Sequence, residues 1–434
     1  MFSMLGSGFA FILSDPFTIL LLVLGVAFGI VFGALPGLTT VAALSMFLPL
    51  SYSMNSTTGL ATLTAIYIGG ISGGLISAIL LNMPGTPSSI ATCFDGHPLA
   101  RKGQAGKALG VGVFSSLFGT LFGIFAMILI SPTLAELTIK FGPWEYFGVT
   151  FFALTLISSL CGRNLILGLL SALLGMMFAT VGLAPIDSAK RFTFDTVALT
   201  SGFHLLSVLV GLYAISEVLS SSSDIQGQNV SITTNYKIKG LGFSLAEMAA
   251  QTKNLVYSSL IGLGIGILPG IGGSTSNIIA YSVAKSTSKH PEKFGTGIID
   301  GIVATESSNN ASIGGAMIPL LTLGIPGDGA TAILLGGFIL HGLQPGPLLF
   351  QSNGNVVYGI FAAMILSSIV MVLLMYWGMR GFVRILKVPS HILMPLIVVL
   401  CCIGAYALNS RVFDVWGLLL FGVTVNLLKI FMSI

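Results

Sequence analysis

The apolar stretches of this 434-residue chain are too long and too continuous for a soluble fold. A helical membrane span needs about 20 mostly apolar residues. Such runs occur at roughly 17–35, 58–82, 108–131, 145–161, 165–185, 204–220, 355–377, 391–408 and 415–434. Regions 254–284 and 297–343 are also apolar, but Gly, Pro, Asn and Ser interrupt them. A membrane β-barrel would instead show alternating strands of about ten residues with polar lumen positions. Charged residues make up only 7% of the chain, against about 25% in ordinary soluble domains. That excludes a soluble globular enzyme, a disordered chain, a coiled coil and a disulfide-stapled scaffold. The sequence therefore predicts an all-α polytopic membrane protein with about 10–12 transmembrane or re-entrant segments.

Basic residues set the expected orientation. Arg101, Lys102 and Lys107 share one short loop, Lys285, Lys289 and Lys293 a second, and Arg380, Arg384 and Lys387 a third. The positive-inside rule makes all three cytoplasmic. Four spans separate the first of them from a polar linker at 221–253 with Lys237, Lys239 and Lys253, so parity puts the linker on the same side. The linker divides the chain into a first repeat half, 1–220, and a second, 254–434. The net charge of +4 suits such loops and gives no nucleic-acid surface. A basic n-region and a small-residue cleavage site are lacking at the start, so no removable signal peptide is expected.

Each half carries the same interrupted pattern. Gly33-Ala34-Leu35-Pro36-Gly37 matches Gly266-Ile267-Leu268-Pro269-Gly270. Gly73-Gly74 followed by Asn82-Met83-Pro84-Gly85 matches Gly314-Gly315 followed by Gly324-Ile325-Pro326-Gly327. The charge contexts are opposite. In the first half the basic loop follows the second break, and Ser51 to Thr57 is uncharged. In the second half the basic loop follows the first break, and Gly329 to Gly354 has no Lys or Arg. Two inverted repeats with Pro/Gly-broken helices are thus expected, the pattern of secondary transporters whose sites lie at the breaks near the midplane.

Proline lacks an N–H and glycine tolerates unusual dihedrals, so a helix stops at each break and another begins. A new helix N-terminus offers unpaired N–H groups and the positive end of a dipole, which suits an anion. The residues assigned to substrate contact are Pro36, Gly37, Thr39 and Thr40 at the first break, and Asn82, Pro84, Gly85, Thr86 and Ser88 at the second. The matching set is Pro269, Gly270, Gly273, Ser274 and Thr275, with Pro326 and Gly327. None of the stretches 33–40, 82–89, 266–277 and 305–328 contains Lys or Arg. An anion there must be held by backbone dipoles, hydroxyls and a co-bound cation, which favours cation-coupled symport.

Polar residues inside an apolar bundle are functional candidates. Glu306, Ser308, Asn309 and Asn310 form the candidate cation-coupling set, with Glu306, Asn309 and Asn310 on one helix face at i, i+3, i+4. Glu306 could ligate Na⁺, carry the coupling proton, or accept hydrogen bonds from neighbouring helix ends. Asp328 is expected to cap the helix after the fourth break, and Asp95 and Asp300 to sit at loop edges. His204 and His341, with His97, His290 and His391, have no metal-ligand spacing and are expected to be structural. The four cysteines (Cys93, Cys161, Cys401, Cys402) are expected to be packing residues. No metal site or organic cofactor is expected, only Na⁺ or H⁺ as coupling ion. Trp144, Trp377 and Trp416 fall at segment ends, as in an interfacial belt.

Two rival functions follow from the same residues. Gly70-Ile71-Ser72-Gly73-Gly74 resembles the serine motif of a rhomboid-type intramembrane protease, which would need His204 or His341 as base. The chance of such a match is high in a chain with 55 glycines. A passive anion channel would keep the dipoles and lose the coupling.

At these motifs the chain resembles the TctA family, the large membrane subunit of tripartite tricarboxylate transporters. The likeness runs through Gly33 to Thr39, Asn82 to Ser89, Thr92 to Gly96 and Ala100 to Gly103, then Arg191-Phe192-Thr193-Phe194. It continues through Gly266 to Gly270, Ser288 to Pro291, Glu306 to Asn310 and Leu323 to Gly327. The resemblance implies a multi-pass permease of the bacterial inner membrane, not an enzyme, taking up citrate or related carboxylates on an ion gradient, with Na⁺ expected before H⁺. It implies two partners, a small membrane subunit and a periplasmic solute-binding protein. His97 stands where the family more often has Tyr, and Asp328 where it usually has a small hydroxyl residue. Family members tend to run longer at the C-terminus, so a terminal segment is expected to be lacking here.

Overall fold

The computed structural model describes residues 2–35, 38–160, 165–184, 188–223, 242–270, 272–385 and 390–432. The chain is built of helices. In the first half these are α1 (Phe2–Ser14), α2 (Pro16–Ala34), α3 (Thr40–Ser51), α4 (Ser56–Leu81), α5 (Thr92–Leu99) and α6 (Ala105–Thr138). There follow α7 (Pro143–Leu160), α8 (Leu165–Ala179), a two-residue antiparallel pairing of Gly182–Leu183 with Lys190–Arg191, α9 (Val197–Thr200), α10 (Leu205–Val210) and α11 (Ser216–Ser223). The second half holds α12 (Leu245–Ala250), α13 (Thr252–Ile267), α14 (Gly272–Thr287), α15 (Ile299–Leu323), α16 (Gly329–Leu340), α17 (Leu349–Ser352), α18 (Gly354–Ile385), α19 (Ser390–Asn409) and α20 (Val412–Met432). Residues 224–241, most of the expected linker, and Cys161 and Lys387 lie outside the described residues.

Among the described residues four helical stretches are long and apolar enough to cross a membrane: Pro16–Ala34, Ser56–Leu81, Thr92–Thr138 and Gly354–Gly378. Seven shorter apolar helices accompany them. α15 is absent from both groups because its sequence is polar, yet every residue from Gly301 to Thr322 is buried. The expected span at 204–220 is interrupted by a π-helical turn at Gly211–Ile215 that separates α10 from α11.

The repeat is visible in backbone geometry. α2 ends on Leu35 at φ −83°, ψ 115°, and α13 on Leu268 at φ −78°, ψ 114°. α4 ends on a left-handed residue, Asn82 at φ 56°, ψ 30°, and α15 on Gly324 at φ 72°, ψ 21°. Within each half the first helix packs along the third, α2 on α4 and α13 on α15. Between the halves the next long helix is exchanged, so that α6 packs on α15 and α18 on α4.

Small residues make these contacts close. Gly119 and Gly123 of α6 lie against the backbone of Ser307 and Ala311 on one side of α15, and Gly262 and Gly266 of α13 against Ser308 and Ser312 on another. Gly25, Gly29 and Gly33 of α2 meet Thr62, Ile66 and Gly70 of α4 in the same way. Glycine at i, i+4 spacing lets helix backbones approach without an intervening Cβ, the usual source of tight packing where lipid removes the hydrophobic drive.

A helix-break cavity between the two repeats

The breaks themselves repeat. Leu35 and Leu268 turn the chain out of helix, and a new helix starts within a few residues. Pro36 and Gly37 lie outside the described residues. At the third break Gly270 (φ 81°) and Gly272 (φ 64°) adopt left-handed conformations that a side chain would disfavour. The Gly270 N–H donates to the Gly327 carbonyl at 2.8 Å, which ties the third break to the fourth. Gly85 and Gly327 occupy matching places, buried against the carbonyls of Gly33 and Gly266.

After the second and fourth breaks the caps also correspond. The Thr86 N–H donates to Ser89 Oγ at 3.3 Å, and Ser89 Oγ donates to the Thr86 carbonyl at 2.9 Å. The Asp328 N–H donates to Thr331 Oγ1 at 2.8 Å, and Thr331 Oγ1 lies 2.9 Å from the Asp328 carbonyl. Asp328 Oδ1 accepts the Thr331 N–H at 2.7 Å, so Asp328 is the N-cap that its position predicts.

All four breaks border one cavity of about 470 Å³. Thr39, Thr40, Thr86, Ser88, Pro269, Gly270, Gly273, Ser274 and Pro326 line it, as do Val41, Ile71, Tyr213 and Asp328. The N-termini of α3, α14 and α16 all end at this space, each the positive end of a helix dipole equivalent to roughly half a charge. No lysine, arginine or histidine is among the described residues that line it. The Thr40 hydroxyl is buried without a hydrogen-bond partner among the described residues.

Other assigned residues shape the breaks without lining the cavity. Asn82 and Pro84 are exposed at the C-terminal end of α4, where Asn82 supplies the left-handed cap. Gly85 and Gly327 are buried behind the lining, and Thr275 points elsewhere on α14. Sequence reasoning missed Tyr213, which the π-helical turn presents to the cavity, and Tyr67, whose hydroxyl donates to Asp328 Oδ2 at 2.6 Å. The tyrosines sit inside apolar runs, and their partners lie far away in the sequence, so no local pattern singles them out. π-Turns inside helices do recur at functional sites.

The polar set on α15 separates into two. At about 100° per residue, Asn310 lies to one side of Glu306 and Asn309 to the other. Glu306 accepts from Thr92 Oγ1 at 2.5 Å, Ser116 Oγ at 3.0 Å and Asn310 Nδ2 at 3.4 Å. Asn310 Oδ1 accepts from Ser72 at 2.7 Å and Thr120 at 3.3 Å. Asn309 faces α14 instead, beside Gly273, Ser312 and Ser88, and both atoms of its amide are buried without a partner among the described residues. Ser308 donates to the Ser276 carbonyl at 3.0 Å. Glu306 has no cationic partner among the described residues.

Three expectations change. Asp95 is not a loop-edge group but fully buried: Oδ1 accepts the N–H groups of Gly295, Gly297 and Ile298 at 3.0, 2.7 and 3.0 Å, and Oδ2 the Tyr281 hydroxyl at 3.0 Å. A carboxylate can accept that many bonds; the loop before α15 supplies three of them and Tyr281 of α14 the fourth. Ser72 is committed to Asn310, and His341 lies 3.3 Å from Ser51, so the serine-protease geometry does not form. His204 is not fully satisfied, because its buried Nδ1 lacks a partner among the described residues.

The family comparison agrees with the architecture. The chain is 35% identical over 408 residues to the "Uncharacterized 52.8 kDa protein in TAR-I ttuC' 3'region" of Agrobacterium vitis, covering 94% of this chain and 81% of that one. It is 39% identical over 159 residues to the "Uncharacterized protein in TAR-II ttuC' 3'region" of the same organism, covering 37% of this chain and 66% of that one. No solved structure matches. The model of the tripartite tricarboxylate transporter TctA family matches residues 19–432, and with nearly the whole length so accounted for, this chain is a member of that transporter family.

Proposed function

We propose that the chain is the large permease subunit of a cation-coupled secondary transporter that takes up citrate or related tri- and dicarboxylates across a bacterial inner membrane. The observation that carries this reading is the convergence of four helix breaks on one cavity with no basic side chain among its described lining residues. The N-termini of α3 and α14 and the Thr39, Thr86 and Ser88 positions offer donors for cargo carboxylates, while the N-terminus of α16 is capped by Asp328. A co-bound cation, Na⁺ before H⁺, supplies the positive charge that the lining lacks. The Asn309 amide, which has no partner among the described residues, and the buried Glu306 network support α15 as its place of coupling. Membership of a tripartite transporter family supports two partners, a small membrane subunit and a periplasmic solute-binding protein.

The decisive experiment is uptake into vesicles that hold the chain with both partners, using several carboxylates and imposed Na⁺ or pH gradients. Accumulation against a concentration gradient that follows one of the ion gradients is expected. Equilibration indifferent to both would favour the channel. Inversion of the repeats has its own test. Cysteines placed at Ser53 and Ser288 of a cysteine-free chain should react with an impermeant thiol reagent from opposite sides, and labelling from one common side would remove the antiparallel relationship.

A further inference from the structure

The two repeats present unlike chemistry at equivalent places in the cavity wall and just behind it. Thr86 and Asp328 each follow a Pro-Gly break, 242 positions apart, and Tyr67 and Asn309 are separated by the same offset on α4 and α15. On one side the wall is neutral: Thr86 Oγ1 lies 3.1 Å from Ser88 Oγ, with the unpartnered Asn309 amide behind Gly273. On the other it is acidic, and Asp328 is the one carboxylate among the described residues that line the cavity. Thr331 N–H and Oγ1 both reach Asp328 Oδ1 at 2.7 Å, and Tyr67 reaches Oδ2 at 2.6 Å. An ionised carboxylate accepts about four hydrogen bonds, so these contacts fix its direction and leave acceptor capacity open to the cavity.

A carboxylate placed opposite anion-binding helix ends repels cargo that presents only carboxylates. It attracts cargo that also carries a hydrogen-bond donor. We infer that Asp328 selects carboxylates bearing a hydroxyl or ammonium substituent, with the substituent donating to Asp328 and the cargo carboxylate lying on the neutral wall and helix ends. This rests on the carboxylate-transport reading and adds the substituent that the cargo must have.

Succinate, malate and aspartate share one dicarboxylate skeleton and differ at one carbon, in hydrogen, hydroxyl and ammonium. Binding of each to the purified full chain in nanodiscs, at one fixed sodium concentration, measures the membrane protein apart from any delivering partner. Malate, aspartate or both should bind roughly tenfold or more tightly than succinate, as expected for a hydrogen bond to a charged group. Asp328→Asn and Asp328→Ser keep a side chain able to cap α16, and their melting temperatures report folding. In both variants the ratio to succinate should collapse towards one. Which of the two substituted acids leads identifies the substituent. An unchanged ratio in folded variants overturns the inference. Equal weakening of all three acids also overturns it, since Asp328 would then serve a contact common to them, such as a bound cation. A wild-type chain that binds no acid overturns the carboxylate reading itself and the inference with it.

Discussion

Replacing Asp95 should loosen the junction between the repeats more than any exposed substitution could. Its carboxylate follows the second break and reaches across to the segment 295–298 that leads into α15. Three backbone N–H groups and the Tyr281 hydroxyl converge on it, and Gly301 packs against it. Hydrogen bonds to a charged group contribute roughly 1.5–3 kcal/mol each, and an orphaned buried donor costs about 1–3 kcal/mol. These values do not add across one network. Removing one side of a buried charged contact costs about 3–5 kcal/mol, and that is the expected loss for Asp95→Ala. Asp95→Asn keeps an oxygen for the three amides but loses the charge, so roughly 2 kcal/mol is expected. Tyr281→Phe removes one bond, about 1 kcal/mol. The assay is reversible unfolding in detergent with denaturant, read by circular dichroism, alongside amide hydrogen exchange at Gly295, Gly297 and Ile298. Exchange should quicken at these three amides in Asp95→Ala before the helices around them open. If Asp95→Ala unfolds within about 0.5 kcal/mol of the wild type, as a surface substitution would, the buried clamp is refuted.

Two further outcomes are expected. Glu306→Gln retains an acceptor for Thr92 and a group to face Ser116, so it should fold with at most about 1.5 kcal/mol of destabilisation. Ion-driven uptake should fall much further, and uptake with unaltered Na⁺ and pH dependence would remove Glu306 from coupling. At the segment following the linker, the hydrogen bond from Lys107 holds the Glu247 carboxyl below its ordinary value of 4.5, with the Ser244 capping box assisting. A lowered folded-state value means that this contact's contribution is present above about pH 4.5 and is lost as pH falls through the depressed value. Hydrogen exchange across residues 245–250 should therefore quicken on acidification in the wild type. In Lys107→Gln it should be faster at neutral pH and change less with acid.

What could be seen in the sequence was what is encoded locally. Proline and glycine punctuate the chain at 84–85, 269–270 and 326–327, and helices end there because a missing N–H or a left-handed residue stops them. Capping by Asp328 was legible for the same reason, since the donor lies three residues away. Its second partner, Tyr67, stands 261 residues earlier, and no local signal connects them. Asp95 failed in the same way: a carboxylate beside a glycine and two residues from a histidine looks like a loop edge until a distant segment wraps it. Asn82 and Pro84 were legible as a break but not as outward-facing, because a residue that turns the chain need not face what the turn creates. For Glu306, Asn309 and Asn310, helical spacing gave proximity but not direction. The 100° step sends the two asparagines to different neighbours.

The exchange of long helices between repeats constrains how such a protein can move. If each half of the sequence were a mechanical unit, sliding one past the other would separate α6 from α15 and α18 from α4. The first of these contacts is among the tightest in the molecule, with Gly119 and Gly123 of α6 against the backbone of α15. It also carries the bond from Ser116 to Glu306 and the bond from Thr120 to Asn310, both fully buried. Breaking it would leave a fully buried carboxylate short of donors, at a cost of several kcal/mol. The cavity wall is different. There the contacts between repeats run through short post-break elements, α3 with α16 and α14 with the Pro87–Ser89 turn, around a space rather than a packed seam. Any movement that opens the site to one side or the other has its low-cost boundary at these break elements. The bodies that move must therefore each combine helices from both halves of the sequence.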